Sequence, residues 1–395
     1  MKNIKSHLLL FVIFLSLSSV YTAQAQKKAT ITIEGHVAAR NPSFLDKYNW
    51  VWLYKGFGSE RQLVDSAQVD TTGVFTLKLK SVEPEFYSLD ILKWQSASFY
   101  SDTDLHIEAR GYDTSRVKMR NSGFVNVKSN SSANRLINAA NYNNYLASLE
   151  MEELNAEWMS SMRHAQKDST WSKYIKSDGL IRKKSNFELL RLQNLIQTNT
   201  DNPGVIYLLS LYPTDADSEF FESQIENALL KFPTSSDLKH LKAQYQTKKE
   251  IRFSLKRGSL IPDLVYANAE GKIIDIKDYS GKYVLIDFWA SWCGPCRKAI
   301  PAIKELYETY KDKGFEVLSV SIDTNREAWV KAVHEENMPW AQVISPDKNK
   351  TLKEFMIIGI PTLFLIDKEG KIVEKFTGFS ESLKKQVVTS LESNI

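Results

Sequence analysis

The stretch Tyr283-Val-Leu-Ile-Asp-Phe-Trp-Ala-Ser-Trp-Cys-Gly-Pro-Cys-Arg297 decides how the C-terminal part of the 395-residue chain folds. Its first seven residues are an almost unbroken apolar run, the pattern of a strand buried on both faces of a sheet. The Cys-Gly-Pro-Cys that follows opens a helix. Pro295 is suited to the first turn, where its missing N–H leaves no helical bond unmade. Cys293 then stands at the helix N-terminus, where free backbone N–H groups and the macrodipole favour an anion. Its thiol is expected to ionise below the ordinary cysteine range. Cys296, three residues on, lies on the same helical face and can close a short disulfide. Gly294 removes a side chain beside the sulfur, so a substrate disulfide can approach. The expected roles are an exposed attacking thiol, Cys293, and a buried resolving thiol, Cys296. Asp287 sits in the middle of the apolar run, where burial should raise its pKa.

Outward from this core, strand-like and helix-like segments alternate over residues 251–395, which implies an α/β unit. Lys272–Ile276 and Phe315–Ser321 read as strands, and Arg326–Glu336 and Glu381–Leu391 as helices. Thr362–Ile366 and Lys371–Phe376 flank the turn Asp367-Lys-Glu-Gly370, a hairpin signal. Residues 26–130 read as β. Ala29–Ile33 and Val74–Leu79 alternate apolar and polar residues, Trp50-Val-Trp-Leu-Tyr54 is aromatic and β-prone, and Asp70–Gly73 is a turn. A small antiparallel β-sandwich or barrel is expected, with core packing of the aromatic strip favoured over its use as a binding face. Residues 131–250 are helical in pattern, with segments from Ser132, over Leu146–Met162, Asn186–Thr198 and Glu219–Lys231, and breakers at Pro213 and Pro233. Nothing there carries recognisable chemistry, so a spacer or docking layer is expected.

The remaining composition narrows the function. The chain has two Cys, both in the one C-x-x-C, which argues for redox chemistry over structural stapling. A structural zinc site wants four ligands, and the six His are scattered, so no metal or other cofactor is expected. Arg297 rather than His follows the second Cys, which excludes a c-type haem attachment. The net charge is +4, with no basic stripe, so nucleic-acid binding has no support. Lys2 and Lys5, the apolar run Leu8–Val20 and the small-x-small site Ala23-Gln24-Ala25 read as a secretory signal peptide over residues 1–25. The alternative, a membrane anchor, is disfavoured because the run falls short of roughly 20 apolar residues.

The run Asp287–Arg297 resembles the active-site segment of the thioredoxin superfamily almost residue for residue. Gly359-Ile-Pro-Thr362 resembles that family's cis-proline loop, Pro301 its helix proline, and Gly378 the glycine beside its substrate groove. The segment Gly258–Val265 and the long stretch between Asp323 and Pro361 are similar to the TlpA/ResA group of exported, AhpC/TSA-related proteins. The resemblance covers about residues 255–395. It implies a mixed central sheet flanked by helices. It implies that Pro361 is cis and packs against the disulfide, and that a substrate strand pairs near Ile360 by β-augmentation. Trp292, Gly294 and Pro295 would join Ile360 and Gly378 in the substrate surface, and Asp287 would move a proton to and from Cys296. Ser319 stands where thioredoxin itself has a lysine near the buried acid. The regions before residue 250 resemble, loosely, those fused to such domains in Bacteroidetes-type envelope proteins.

The function expected on this basis is thiol–disulfide exchange with protein substrates in the periplasm of a Gram-negative envelope. The Gly-Pro dipeptide is the one found in reducing thioredoxins, so the resemblance implies a reductase, which would draw electrons from a membrane thiol donor of the DsbD/CcdA type. The resemblance makes apocytochrome c or other envelope thiols its targets. Homodimerisation is left open. Two alternatives stand beside this reading: a thiol peroxidase, against which Ala290 occupies the position of the peroxiredoxin threonine, and a partner-binding envelope protein with an accessory redox domain.

Overall fold

The computed structural model describes residues 30–38, 49–56, 58, 61–80, 83–110, 123–168, 172–378 and 381–393. The stretch read as a signal peptide lies outside them. No helix among the described residues is long and apolar enough to cross a membrane. The chain divides into two compact units between Leu241 and Lys242.

The first unit begins with strands β1 (Ile31–Ala38), β2 (Trp50–Lys55), β3 (Gln62–Gln68), β4 (Val74–Leu79), β5 (Phe86–Ile91), β6 (Gln95–Tyr100), β7 (Leu105–Arg110) and β8 (Asn126–Lys128). They form two sheets, ordered β4-β1-β7-β8 and β3-β2-β5-β6. Ile33, Leu77 and Ile107 of one sheet and Leu53, Leu89 and Phe99 of the other share a single core, so the sheets face each other as a sandwich. Pairing is antiparallel apart from β1 with β7, which run parallel. The chain passes through the second sheet between those two strands, the long crossover that parallel neighbours need. The aromatic strip departs from expectation. The period of two sends Val51 and Leu53 into the core, while Trp50 is 39% exposed. Trp52 and Tyr54 lie on the same outer side, where Lys93 and Arg61 cover their rings.

Helices α1 (Ser132–Asp168), α2 (Ser172–Thr198), α3 (Gly204–Leu211), α4 (Ser218–Lys231) and α5 (Ser236–Ser254) follow. The helical pattern read over Leu146–Met162 is the middle of one continuous helix. That over Asn186–Thr198 is the second half of α2. Along their seam Trp158 packs on Tyr174, and the hydroxyls of Ser161 and Ser177 lie 3.0 Å apart. Helix α5 carries the chain across the unit boundary.

The second unit comprises β9 (Val265–Asn268), β10 (Ile273–Asp275), β11 (Tyr283–Trp289), α6 (Gly294–Tyr310), β12 (Phe315–Ser321), α7 (Arg326–Glu336), β13 (Ala341–Ile344), α8 (Lys348–Glu354), β14 (Thr362–Ile366), β15 (Ile372–Thr377) and α9 (Glu381–Glu392). The sheet order is β10-β9-β13-β12-β11-β14-β15. β11 lies parallel to β12 and antiparallel to β14, and all seven of its residues are buried. Leu285 and Trp289 point to a core shared with α6, α7 and α9, through Ile303, Trp329 and Leu391. Val284, Ile286 and Phe288 point to the opposite core with Phe355 and Phe364. This is the thioredoxin-like α/β arrangement that the apolar run implied.

Phe288 ties that second core together, its ring 4.8 Å from Phe355 and 6.0 Å from Phe364. Phe288→Ala should cost the second unit about 3–5 kcal/mol. The check is denaturant unfolding of the full chain, with a lowered midpoint for that unit; an unchanged midpoint would contradict the packing described.

Candidate redox site

The chain leaves β11 at Trp289, turns through Ala290–Trp292 and enters α6 at Gly294. Cys293 is the N-cap of that helix. Its N–H donates to the Ala290 carbonyl at 3.0 Å and its carbonyl accepts from Arg297 N–H at 3.1 Å. Its sulfur accepts the backbone N–H of Cys296 at 3.2 Å, the bond an N-cap side chain makes to the third helical residue. The two sulfurs are joined in a disulfide. Pro295 lies in the first turn as expected, and a Cβ at Gly294 would meet nothing within 4 Å, so the approach over this side of the helix is open. Pro301 lies inside α6.

Cys293 was expected to be exposed. It is 5% exposed and Cys296 2%. The reason is the loop before β14, whose Ile360 carbonyl oxygen lies 3.7 Å from Cys293 Sγ. The surface beside the sulfur is instead Trp292, 63% exposed, with Lys348 Nζ 5.5 Å above its ring. The Ile360–Pro361 bond is cis. Ile360 precedes the first ladder pair of β14, Thr362 with Phe288, so its backbone is not committed to β11. The loop is held at several points. Thr362 Oγ1 donates to the Gly359 carbonyl at 2.6 Å. Gly378, at φ +78°, donates its N–H to the Pro361 carbonyl at 2.8 Å. Lys375 Nζ donates to the Phe355 and Met356 carbonyls at 3.0 and 2.9 Å, and burial lowers its pKa.

Asp287 is 2% exposed. Strand alternation places its side chain on the same face of β11 as Leu285 and Trp289, in the layer that also holds Cys296. Ser319 Oγ donates to its Oδ2 at 3.1 Å, and Oδ1 has no partner among the described residues. Burial pushes this carboxyl up to about 7, against the opposing pull of the Ser319 hydrogen bond.

Other contacts of the site were not visible in the sequence. Asp323, buried just beyond β12, accepts the Ser291 N–H at 2.8 Å, the Ser291 hydroxyl at 2.7 Å and the Ser321 hydroxyl at 2.7 Å. It pins the turn that leads into Cys293. Arg297 ties the first turn of α6 to the end of α7 through Glu335 and Glu336, at 2.7 and 2.5 Å. Trp340 Nε1 donates to Ser319 Oγ at 2.9 Å.

Known proteins match this unit. The AhpC/TSA family matches residues 257–375. Thiol-disulfide oxidoreductase ResA of Bacillus thuringiensis subsp. konkukian is 37% identical over 144 residues, 36% of this chain and 79% of that protein. The ResA of Bacillus subtilis is 32% identical over 125 residues, 32% of this chain and 69% of that protein. The chain belongs to the TlpA/ResA-like group of the thioredoxin superfamily. A solved thioredoxin domain of a thiol-disulfide oxidoreductase from Bacteroides vulgatus is 37% identical, covering 34% of this chain and 98% of that one, with a TM-score of 0.32. This TlpA/ResA-like chain is a thiol-disulfide oxidoreductase, with the Cys293–Cys296 pair as its one disulfide.

The raised pKa of Asp287 has a consequence for stability. Below about pH 4 the carboxyl is protonated in the folded and the unfolded chain alike. Between about pH 4 and 7 the unfolded chain has lost that proton while the folded one keeps it, so stability falls as pH rises. Asp287→Asn should therefore gain stability over the parent at pH 8 relative to pH 4, by on the order of a few kcal/mol. Denaturant melts of the oxidised protein at both values test this; the same difference at each pH would refute it.

Proposed function

We propose that the chain is a protein-disulfide reductase that works outside the cytoplasm, in a Gram-negative periplasm. The observation that carries the direction is Pro295. An N-cap sulfur can accept from the N–H groups of the second and third helical residues. Here the second is proline and has no N–H, so only Cys296 N–H reaches Cys293 Sγ. A thiolate with fewer donors is less stabilised, the reduced form is correspondingly less favoured, and the potential is lower. The leader-like N-terminus supports export, and a cysteine pair unaccompanied by structural disulfides suits a chain whose thiols are its chemistry.

The reaction begins with the Cys293 thiolate attacking one sulfur of a substrate disulfide. A Cys293–substrate bond forms, and the other substrate sulfur leaves as thiolate and takes a proton. Asp287 as carboxylate then accepts the Cys296 thiol proton. The Cys296 thiolate attacks Cys293 Sγ, the intramolecular disulfide forms, and the second substrate sulfur departs and is protonated. Two electrons pass from the cysteine pair to the substrate. A membrane dithiol donor of the DsbD/CcdA type would restore them. Envelope proteins carrying disulfides, apocytochrome c among them, are the substrate class.

Titration of the purified protein in defined thiol buffers tests the direction. A midpoint at or below about −240 mV supports a reductase, whereas one near about −120 mV makes the protein an oxidant and removes the donor. Asp287→Asn should slow release of a mixed disulfide at Cys293 by about 10²-fold or more, the lower range of general-base contributions. A trapped adduct that resolves at the parent rate would remove Asp287 from the mechanism.

A further inference from the structure

Asp287, Ser319 and Gln342 are register partners in turn across the neighbouring parallel strands β11, β12 and β13. Such partners project to the same face, so three polar side chains lie in one row beneath α6. They are 2%, 0% and 6% exposed. Ser319 has one hydroxyl proton and a polar register neighbour on each side of it. One is Asp287, with Oδ2 at 3.1 Å. The other is Gln342, whose amide oxygen and nitrogen both lack a partner among the described residues. The indole N–H of Trp340 fills a lone pair of the hydroxyl at 2.9 Å. An indole N–H only donates, so it takes no proton from Ser319 and restricts how the hydroxyl turns. Trp340 is itself held, 6% exposed and with its ring 5.5 Å from that of Tyr307 in α6.

We propose that Ser319 and Trp340 are positioning residues for the proton step. Trp340 orients the Ser319 hydroxyl toward Asp287 Oδ2, which leaves Oδ1, the oxygen without a partner, to take the Cys296 proton and give it back. This rests on the relay role of Asp287 given above. Among the described residues no other charge acts on the carboxyl. Its neighbours in the ladder are Ser319 and Leu363, and α6 brings Cys296 among apolar side chains. Burial and the Ser319 bond are the influences on its ionisation.

The experiment follows the Asp287 carboxyl band by difference infrared spectroscopy of the reduced full-length protein across pH, with Asp287→Asn identifying the band. Mixed-disulfide release at Cys293 is timed over the same range. Ser319→Ala should move the titration upward by about one pH unit, the loss of one hydrogen bond to a charged group. Trp340→Phe should move it in the same direction by less, because the freed hydroxyl can turn to Gln342. Adding Gln342→Leu to Trp340→Phe removes the competing acceptor and should bring the titration back toward the parent value. A purely structural role for these residues would lower the melting temperature and leave the titration unmoved, and an unmoved titration in both single variants overturns the proposal. If instead the band shifts as expected while Asp287→Asn releases substrate at the parent rate, the relay reading falls, and the positioning role in catalysis with it.

Discussion

β11 has no solvent face. A strand buried along its whole length must be apolar on both sides, must sit at the centre of its sheet, and must end where the chain can at last reach the surface. The rest of the second unit follows from that constraint. The parallel neighbour β12 brings its C-terminal end to the same edge, and with it Asp323. The antiparallel neighbour β14 brings its beginning, and with it the cis-proline loop. Three strand ends thus converge beside one disulfide. The one carboxyl side chain in β11 is Asp287, which the strand can tolerate only because it is neutral over much of the pH range and has a hydroxyl partner.

The first unit obeys different rules. Its sheets each have one face in a shared core and one turned outward, so alternation governs it, and aromatic rings can stand outside under basic side chains. Its buried polar residues serve joints between elements. Asn134, for instance, bonds both the N–H and the carbonyl of Tyr100, fastening α1 to β6. The family match lies wholly in the second unit, and the redox chemistry lies there too.

What was legible in the sequence was what is local. The run Tyr283–Trp289 and the helix Arg326–Glu336 can be read to the residue, because apolar continuity and helical period need no partner to be seen. Cys293, Cys296 and Asp287 were legible for the same reason. By contrast, β3 carries exposed or half-exposed residues throughout and has no apolar period, and β13 is four residues long, so neither announces itself. The bond between Ser291 and Asp323 spans 32 positions and that between Ser319 and Trp340 spans 21. Both exist only once strand register is set. The burial of Cys293 was misread for a like reason: the group that covers it, Ile360, arrives from 67 residues away.

Gly294 and Pro295 are exposed, and a side chain added at 294 would meet open space. The two residues between the cysteines are therefore nearly decoupled from packing, although they decide which N–H groups face the attacking sulfur. Selection acting on electron affinity and selection acting on foldability fall on different positions. Over evolutionary time the redox poise of this chain can drift, residue by residue, at little cost to the architecture that holds the cysteines.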